Sequence, residues 1–206
     1  MVLNIAKRVS GALAGCLLLL PLASPAMECV VETPVYPDAH YPQVKFTTSH
    51  GDFVVELNRR RAPVTVNNFL RYVEAGAYNN TLFHRVIAEF VVQGGGYHPD
   101  LSQVEEGAEI LNESGNGLAN RTRSIAMARH DDPHSATSQF FFNMNDNDSL
   151  DPNRKNWGYT VFGEVIEGWD VVETLSQVPT GFSEQLGTTD VPTTNAIIKT
   201  VALMTP

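Results

Sequence analysis

The sequence is poor in several features that common protein classes need, beginning with cysteine. It contains two cysteines, Cys16 and Cys29, among 206 residues, which excludes the multiple disulfides of small secreted scaffolds. Charged residues make up 18% of the chain, and the formal net charge is −9. No basic stripe is available for nucleic acid, and no polybasic patch for an anionic membrane. The composition therefore predicts no nucleic-acid partner, while 43% apolar residues suffice for one globular core.

The residue patterns of covalent and metal-assisted catalysis are also missing. There is no G-x-S-x-G turn, and neither cysteine has a nucleophilic setting. His130 and His134 have the spacing of a metal site, but Asp131-Asp132-Pro133 between them breaks a helix. Gly94-Gly95-Gly96 lacks the lysine of a phosphate-binding loop and is interpreted as a turn leaving a strand. The sequence therefore predicts no metal and no cofactor, and it argues against a hydrolase.

The first 26 residues have a different character from the rest. Lys7 and Arg8 precede an apolar run that reaches Leu20, and Ser24-Pro25-Ala26 supplies small residues after it. This layout is typical of a secretory signal peptide cleaved after Ala26. A membrane span needs about 20 apolar residues, and this run is shorter and is followed at once by Pro21. We therefore expect export, with a bacterial periplasm as the destination, and no membrane span.

A second interpretation of the same segment stays open. Leu13-Ala14-Gly15-Cys16 resembles a bacterial lipobox, in which Cys16 would carry a lipid and become the N-terminus. Cleavage there would leave the apolar residues up to Leu20 on the mature protein, which favours the cut after Ala26. In that case Cys29 is the only cysteine of the mature chain, and no internal disulfide forms.

The remainder of the chain predicts a single, mainly β domain over residues 43–206, after an irregular, proline-containing lead-in at 27–42. Alternating apolar residues predict a hairpin over 43–58, and helical spacing predicts helices over 62–76 and 168–176. Further strands are predicted at 82–87, 90–93, 123–128, 139–144, 160–166 and 197–203. Because strands and helices do not alternate, an antiparallel barrel or sandwich is favoured, with helices over its open ends.

Two stretches carry the chemistry, FHRVIAEFVVQGG from residue 83 and SQFFFN from residue 138. Strand alternation can bring Arg85 and Gln93 onto one surface beside Phe90, as a cation and an amide next to an aromatic wall. The three phenylalanines at 140–142 cannot all face one side of a strand. At least one of them is expected to face away from the interior, where an exposed aromatic suits a binding groove.

Together with SIAMAR from residue 124, these motifs resemble the cyclophilins, and the resemblance covers about residues 43–204. The spacing is most similar to that of the exported (periplasmic) bacterial branch. The resemblance implies a closed eight-stranded antiparallel β-barrel capped by two α-helices, with a groove on the outer face of the barrel. It also implies a peptidyl-prolyl cis/trans isomerase that acts on proline-containing polypeptides, and a monomer is the default expectation.

The resemblance also implies roles for individual residues. Arg85 would donate to the prolyl nitrogen of the twisted amide, and Gln93 would hold the substrate carbonyl or orient Arg85. The proline ring would lie in a pocket formed by four apolar residues, Phe90, Val91, Phe141 and Leu150. Further members of the groove would be His84, Ala128, Arg129, Gln139 and Tyr159, with the backbone near 128–129 pairing with the peptide like an added strand.

The sequence departs from many cyclophilins at two positions of the groove. Ser149 stands where many have a tryptophan whose indole contributes to cyclosporin binding, so weakened cyclosporin binding is expected while isomerisation survives. Tyr159 stands where many have a histidine, and only a modest kinetic change is expected there. A chaperone of the same fold that grips proline segments with little catalysis remains the alternative function. The sequons at Asn112 and Asn120 matter only in a glycosylating host, and Asn120 is interpreted as an ordinary loop residue.

Overall fold

The computed structural model describes residues 35–204. Within this range the chain forms ten strands, two α-helices and two short 3-10 turns, Ser114–Asn116 and Asp148–Leu150. The strands and helices are β1 Gln43–Thr48, β2 Asp52–Leu57, α1 Pro63–Glu74, β3 Thr81–Ile87, β4 Val91–Gly94, β5 Ser124–Met127, β6 Phe140–Asn143, β7 Val161–Glu167, α2 Trp169–Ser176, β8 Thr180–Ser183, β9 Thr188–Pro192 and β10 Ile197–Leu203. The predicted signal peptide, the lipobox and both cysteines lie outside the described residues.

Eight of these strands close into an antiparallel barrel in the order β1-β10-β3-β4-β6-β5-β7-β2, which confirms the predicted fold class. The predicted strands and helices agree with the observed ones to within one or two residues at each end. One element was not predicted, the separate hairpin of β8 and β9. Its strands are short, contain glycine and proline, and bury few of their residues, so they carry no clear alternation of apolar and polar residues.

The barrel interior is filled by aromatic side chains from strands that are far apart in sequence. Phe46 on β1 stacks on Phe53 on β2 with ring centroids 4.8 Å apart, and Phe142 on β6 meets Phe53 edge-on at 5.3 Å. Offset and edge-on contacts of this kind are the favourable arrangements of aromatic rings. Helix α1 adds Phe69, which lies edge-on to Phe140 at 5.6 Å. The apolar stripe predicted on α1 therefore covers the core.

The two helices lie at opposite ends of the barrel. Helix α1 follows the end of β2, whereas α2 lies at the start of β2, next to the β1–β2 turn. Gly168 allows α2 to lie at the start of β2. The chain turns there from β7 into α2, and the φ of Gly168 is +71°. A Cβ atom at this position would lie 2.5 Å from the carbonyl oxygen of Asp52, so no larger residue fits. No helix between residues 35 and 204 is long and apolar enough to cross a membrane.

Candidate active site on the outer face of the barrel

A single row of side chains crosses the outer wall of the barrel. The strand registers pair Arg85 with Gln93, Gln93 with Phe141, Phe141 with Ala126, and Ala126 with Val161. Because paired residues on adjacent strands share a face, the row presents a cation, an amide and an apolar surface in that order. On β5, β6 and β7 the residues that alternate with this row belong to the barrel core, which fixes the row on the outside.

Arg85 reaches this face through a β-bulge in β3. Phe83 pairs with Gly94 and Arg85 pairs with Gln93, so His84 is an extra residue opposite one step of β4. Phe83 and Val86 both belong to the core cluster, and the two residues between them therefore both face outwards. Strict alternation from Phe83 would have turned Arg85 into the barrel. Bulges of this kind commonly re-aim a side chain next to an active site.

The guanidinium of Arg85 is held on two sides. Its Nη1 donates to Oε1 of Gln93 at 3.2 Å, and Nε2 of Gln93 donates to Oε1 of Gln139 at 2.9 Å. On the other side, the Asp190 carboxylate Oδ2 lies 3.7 Å from Nε of Arg85. Asp190 comes from β9 of the unpredicted hairpin, so sequence reasoning missed it. The structure thus brings Arg85, Gln93 and Gln139 together as a connected polar group.

An apolar cluster adjoins this polar group, and we call it the outer cluster. Its buried members are Val91, Ala126, Phe141 and Val161, and its half-buried members are Phe90, Leu118, Ala128, Leu150 and Tyr159. All four residues predicted for the proline pocket belong to it. Phe141 does face away from the interior, as predicted, but it is 4% exposed rather than open, because Tyr159 covers it edge-on at 5.6 Å.

Ala128, a member of the outer cluster, and its neighbour Arg129 already form hydrogen bonds within the protein. The backbone N–H of Ala128 donates to the carbonyl oxygen of Gln139 at 2.9 Å, so an added peptide has to pair with other backbone groups of this segment. Nε of Arg129 donates to the Gly158 carbonyl at 3.0 Å, and its guanidinium lies 4.8 Å from the centroid of the Tyr159 ring. Such a cation–π contact holds the tyrosine wall in position.

His84 is separate from the outer cluster. Its side chain is 6% exposed, meets the Tyr97 ring edge-on at 4.9 Å, and lines a cavity of about 390 Å³ against the β8–β9 hairpin. Burial lowers the pKa of His84 to about 4, and a hydrogen bond with Gln139 offsets only part of that effect. The imidazole is therefore neutral near pH 7 and supplies no charge to the groove.

Three apolar members of the outer cluster were missed from the sequence, namely Leu118, Ala126 and Val161. Each reads as an ordinary core or loop residue, and only the register identifies Ala126 and Val161 as neighbours of Phe141. The interpretation of Asn120 as an ordinary loop residue is wrong. Its side chain is fully buried, and Nδ2 donates to Asp151 Oδ1 at 2.9 Å. A glycan at this nitrogen is therefore incompatible with the folded domain.

Comparison with known proteins places this geometry in a family. The family described as cyclophilin type peptidyl-prolyl cis-trans isomerase/CLD matches residues 43–203. The peptidyl-prolyl cis-trans isomerase cyp18 of Streptomyces antibioticus is 49% identical over 164 residues, covering 78% of this chain and 98% of that protein. Peptidyl-prolyl cis-trans isomerase B of Escherichia coli is 47% identical over 163 residues, covering 78% and 98%.

A solved structure agrees with these sequence matches. The cyclophilin type peptidyl-prolyl cis-trans isomerase of Cryptosporidium parvum superposes with a TM-score of 0.67 at 26% identity, covering 81% of this chain and 99% of that one. The family match spans the whole barrel from β1 to β10. The chain therefore belongs to the cyclophilin-type peptidyl-prolyl cis-trans isomerases.

Proposed function

We propose that this protein accelerates rotation about X-Pro peptide bonds in exported polypeptides, with Arg85 as the group that stabilises the transition state. The observation that carries the proposal is the cross-strand row in which Arg85, Gln93 and Phe141 are consecutive neighbours. The row sets a fixed cation two strands away from an apolar surface that fits a proline ring, with Gln93 between them. The proposed reaction needs both the cation and the apolar surface, and both lie on the outer wall of the barrel.

The barrier to be lowered arises from the partial double bond of the amide. Rotation costs about 18–20 kcal/mol because resonance is lost as the C–N bond twists. In the twisted state the prolyl nitrogen becomes pyramidal and basic, so it accepts a hydrogen bond that the planar amide hardly accepts. A donor fixed at that point stabilises the transition state more than the ground state, which is the condition for catalysis. No nucleophile takes part, because no bond is broken.

Arg85 is suited to this role by its surroundings. A guanidinium has five N–H donors, so the bond to Gln93 and the ion pair with Asp190 leave donors for the substrate. Gln93 accepts a hydrogen bond from one side of the group, the Asp190 carboxylate forms an ion pair on another, and together they limit its rotation. An arginine that is already oriented loses less freedom when it engages the twisted amide. Gln93 and Gln139 thus act through Arg85 as positioning residues in this proposal.

The outer cluster is proposed to hold the proline ring while the other side of the bond rotates. Val91 and Phe141, at 2% and 4% exposure, form the closed part of the pocket, and Phe90 and Leu150 form its half-buried rim. Ala126 lies opposite Phe141 and leaves room for a ring because its side chain is a single methyl group. Burial of a prolyl ring against this surface supplies affinity in proportion to the apolar area removed from water.

The proposed role of Arg85 is tested by replacing it with alanine. In a protease-coupled assay on an Ala-Pro peptide, we expect Arg85→Ala to lower kcat/KM by roughly 100-fold, as for removal of a single transition-state donor. Arg60→Ala is the matched control, because Arg60 is an exposed arginine in the turn before α1 and belongs neither to the polar group around Arg85 nor to the outer cluster. Activity of Arg85→Ala close to that of the wild type would refute this mechanism. A wild-type protein that binds the peptide without accelerating its isomerisation would instead support the chaperone function.

Export to a bacterial periplasm remains part of the proposal and is supported by the layout of residues 1–26. Bacterial relatives such as the Escherichia coli protein agree with a bacterial host. The mass of the protein recovered from a Gram-negative expression host distinguishes the alternatives. Cleavage after Ala26 gives a mature chain that begins at Met27, lipidation gives a lipid-modified N-terminus at Cys16, and an uncleaved chain would contradict both.

A further inference from the structure

Three buried asparagines lie directly behind the outer cluster, and the activity proposed above gives them no role. Asn120 and Asn143 are fully buried, and Asn147 is 8% exposed. Asn143 is two residues beyond Phe141 on β6, so both side chains leave the same face of the strand. Buried amides of this kind are costly unless they are hydrogen-bonded.

The three side chains are joined head to tail. Nδ2 of Asn147 donates to Oδ1 of Asn143 at 2.8 Å, and Nδ2 of Asn143 donates to Oδ1 of Asn120 at 3.1 Å. The second donor of Asn143 goes to Oγ of Ser124 at 2.9 Å. We call this chain of amides, Asn147 to Asn143 to Asn120, the asparagine relay. Asparagine suits each position because one side chain both donates and accepts without a buried charge.

At each end the relay bonds to the backbone of a residue in the outer cluster. Nδ2 of Asn147 donates to the carbonyl oxygen of Phe90 at 2.9 Å. Nδ2 of Asn120 donates to Oδ1 of Asp151 at 2.9 Å and to the carbonyl oxygen of Leu150 at 3.2 Å. A longer contact of 3.4 Å joins Nδ2 of Asn120 to the carbonyl of Tyr159. These three carbonyls belong to three of the half-buried residues that form the rim of the outer cluster.

The rim residues need such anchors because none of them lies in a long strand or helix. Phe90 is in the turn between β3 and β4 and follows Glu89, whose φ is +59°. Leu150 ends a 3-10 turn, and Tyr159 lies in the loop before β7. Loops of this kind have low local stability unless buried hydrogen bonds tie them to the scaffold. Asn147 and Asn120 supply those bonds, and both are tied to β6 through Asn143.

We propose that Asn120, Asn143 and Asn147 are positioning residues that hold the rim of the proline pocket at one fixed width. This inference rests on the proposed isomerase function of the groove. The relay couples Phe90 on one side of the pocket to Leu150 and Tyr159 on the other, through amides that never touch the substrate. Arg85, Gln93 and Gln139 form a separate hydrogen-bonded group, so loss of the relay weakens the grip on proline and leaves the guanidinium in place.

The test is Asn147→Ala, which removes the donors to Phe90 and Asn143 while the Met144 N–H still bonds the Phe90 carbonyl. We expect KM for an Ala-Pro peptide to rise roughly tenfold, as for one lost buried hydrogen bond, while kcat changes by less than about twofold. Amide hydrogen exchange without substrate should accelerate at Leu150 and Tyr159. The matched control is Thr48→Val, which loses a buried hydrogen bond to Gly51 at the α2 end and should leave KM unchanged.

A double-mutant cycle then tests whether the three asparagines act as a unit. Asn120→Ala and Asn147→Ala should be strongly non-additive in KM, since either one breaks the same relay. Additive effects, or an Asn147→Ala variant with unchanged KM and unchanged exchange, would overturn the proposal. If Asn147→Ala does not fold, Asn147→Ser keeps one donor and is held to the same criteria. A wild-type protein without isomerase activity would refute the proposed function, but the exchange result would still decide the relay.

Discussion

At the scale of the residue, the site depends on how neighbouring groups restrict Arg85 and the apolar residues beside it. Gln93 accepts a hydrogen bond from the guanidinium and Asp190 forms an ion pair with it on another side, although Arg85 and Asp190 remain about a third exposed. An ion pair at that exposure contributes little to folding stability. In the proposed mechanism it therefore contributes to the orientation of Arg85, and the affinity for substrate is assigned to the apolar surface.

The substitution Ser149→Trp tests the residue-scale prediction for cyclosporin. Ser149 is exposed in the 3-10 turn immediately before Leu150, so an indole there can cover the rim of the outer cluster. We expect cyclosporin to bind roughly tenfold more tightly, as for a large aromatic contact at an interface, while kcat/KM for the peptide stays nearly constant. Calorimetric titration gives the dissociation constants of cyclosporin for the wild type and for Ser149→Trp. Equal affinities of the wild type and Ser149→Trp would contradict this account, and Ser149→Ala controls for loss of the hydroxyl.

At the scale of the element, β4 and the glycines after it decide how the polar group is built. The bulge in β3 turns Arg85 outwards, and the register of β4 then sets Gln93 between Arg85 and Phe141. Gln139 reaches Gln93 across Gly96. A Cβ atom on Gly96 would lie 2.7 Å from Cδ of Gln139, so the absence of a side chain there gives Gln139 its place.

The variant Gly96→Ala follows from this contact. The methyl group displaces Gln139, Gln93 loses its acceptor, and Arg85 is held less firmly. Overpacking at such a contact costs about 1–3 kcal/mol. If that free energy is lost from transition-state stabilisation, we expect kcat/KM to fall roughly tenfold. The protease-coupled assay measures it. Gly115→Ala is the matched control, because no atom lies within 4 Å of its added Cβ, and equal activity of the two variants would refute the role of Gly96.

At the scale of the whole molecule, the closed barrel separates stability from function. The aromatic core fills the interior, and the groove uses the other face of strands β3 to β7. His84 is buried on the outer face against the β8–β9 hairpin, and burial lowers its pKa from 6.5 to about 4. The unfolded chain binds a proton at His84 between these pH values, whereas the folded protein does not.

Folding stability should therefore fall as the pH is lowered from about 6.5 to 4. The upper limit for His84 alone is about 3 kcal/mol, from a shift of roughly two and a half pKa units. Above pH 6.5 this residue contributes no pH dependence, because both states are neutral. Urea unfolding at a series of pH values measures the effect. His84→Gln should show a flatter profile between pH 4 and 6.5, and parallel profiles would show that His84 does not titrate as expected.

Much of the fold could be predicted because its strands and helices follow from the local periodicity of apolar residues. The alternation at Val44, Phe46, Phe53 and Val55 determines a hairpin, and the three- and four-residue spacing within residues 63–74 determines α1. The hairpin β8–β9 could not be predicted, since its strands bury few side chains. The hairpin brings Asp190 to Arg85, and this contact therefore could not be predicted from the sequence.

The sequence by itself determined the two helices and the eight strands of the barrel, because these depend on spacing along the chain. Through motifs such as FHRVIAEFVVQGG it also showed the resemblance to the cyclophilins, and that resemblance implied which residues form the groove. The tertiary structure decided which faces those residues share. Three features depend on contacts between different segments of the chain. They are the bulge at His84, the register that aligns Gln93 with Phe141, and the asparagine relay. Local propensity carries no information about such contacts, since they form only when the barrel closes.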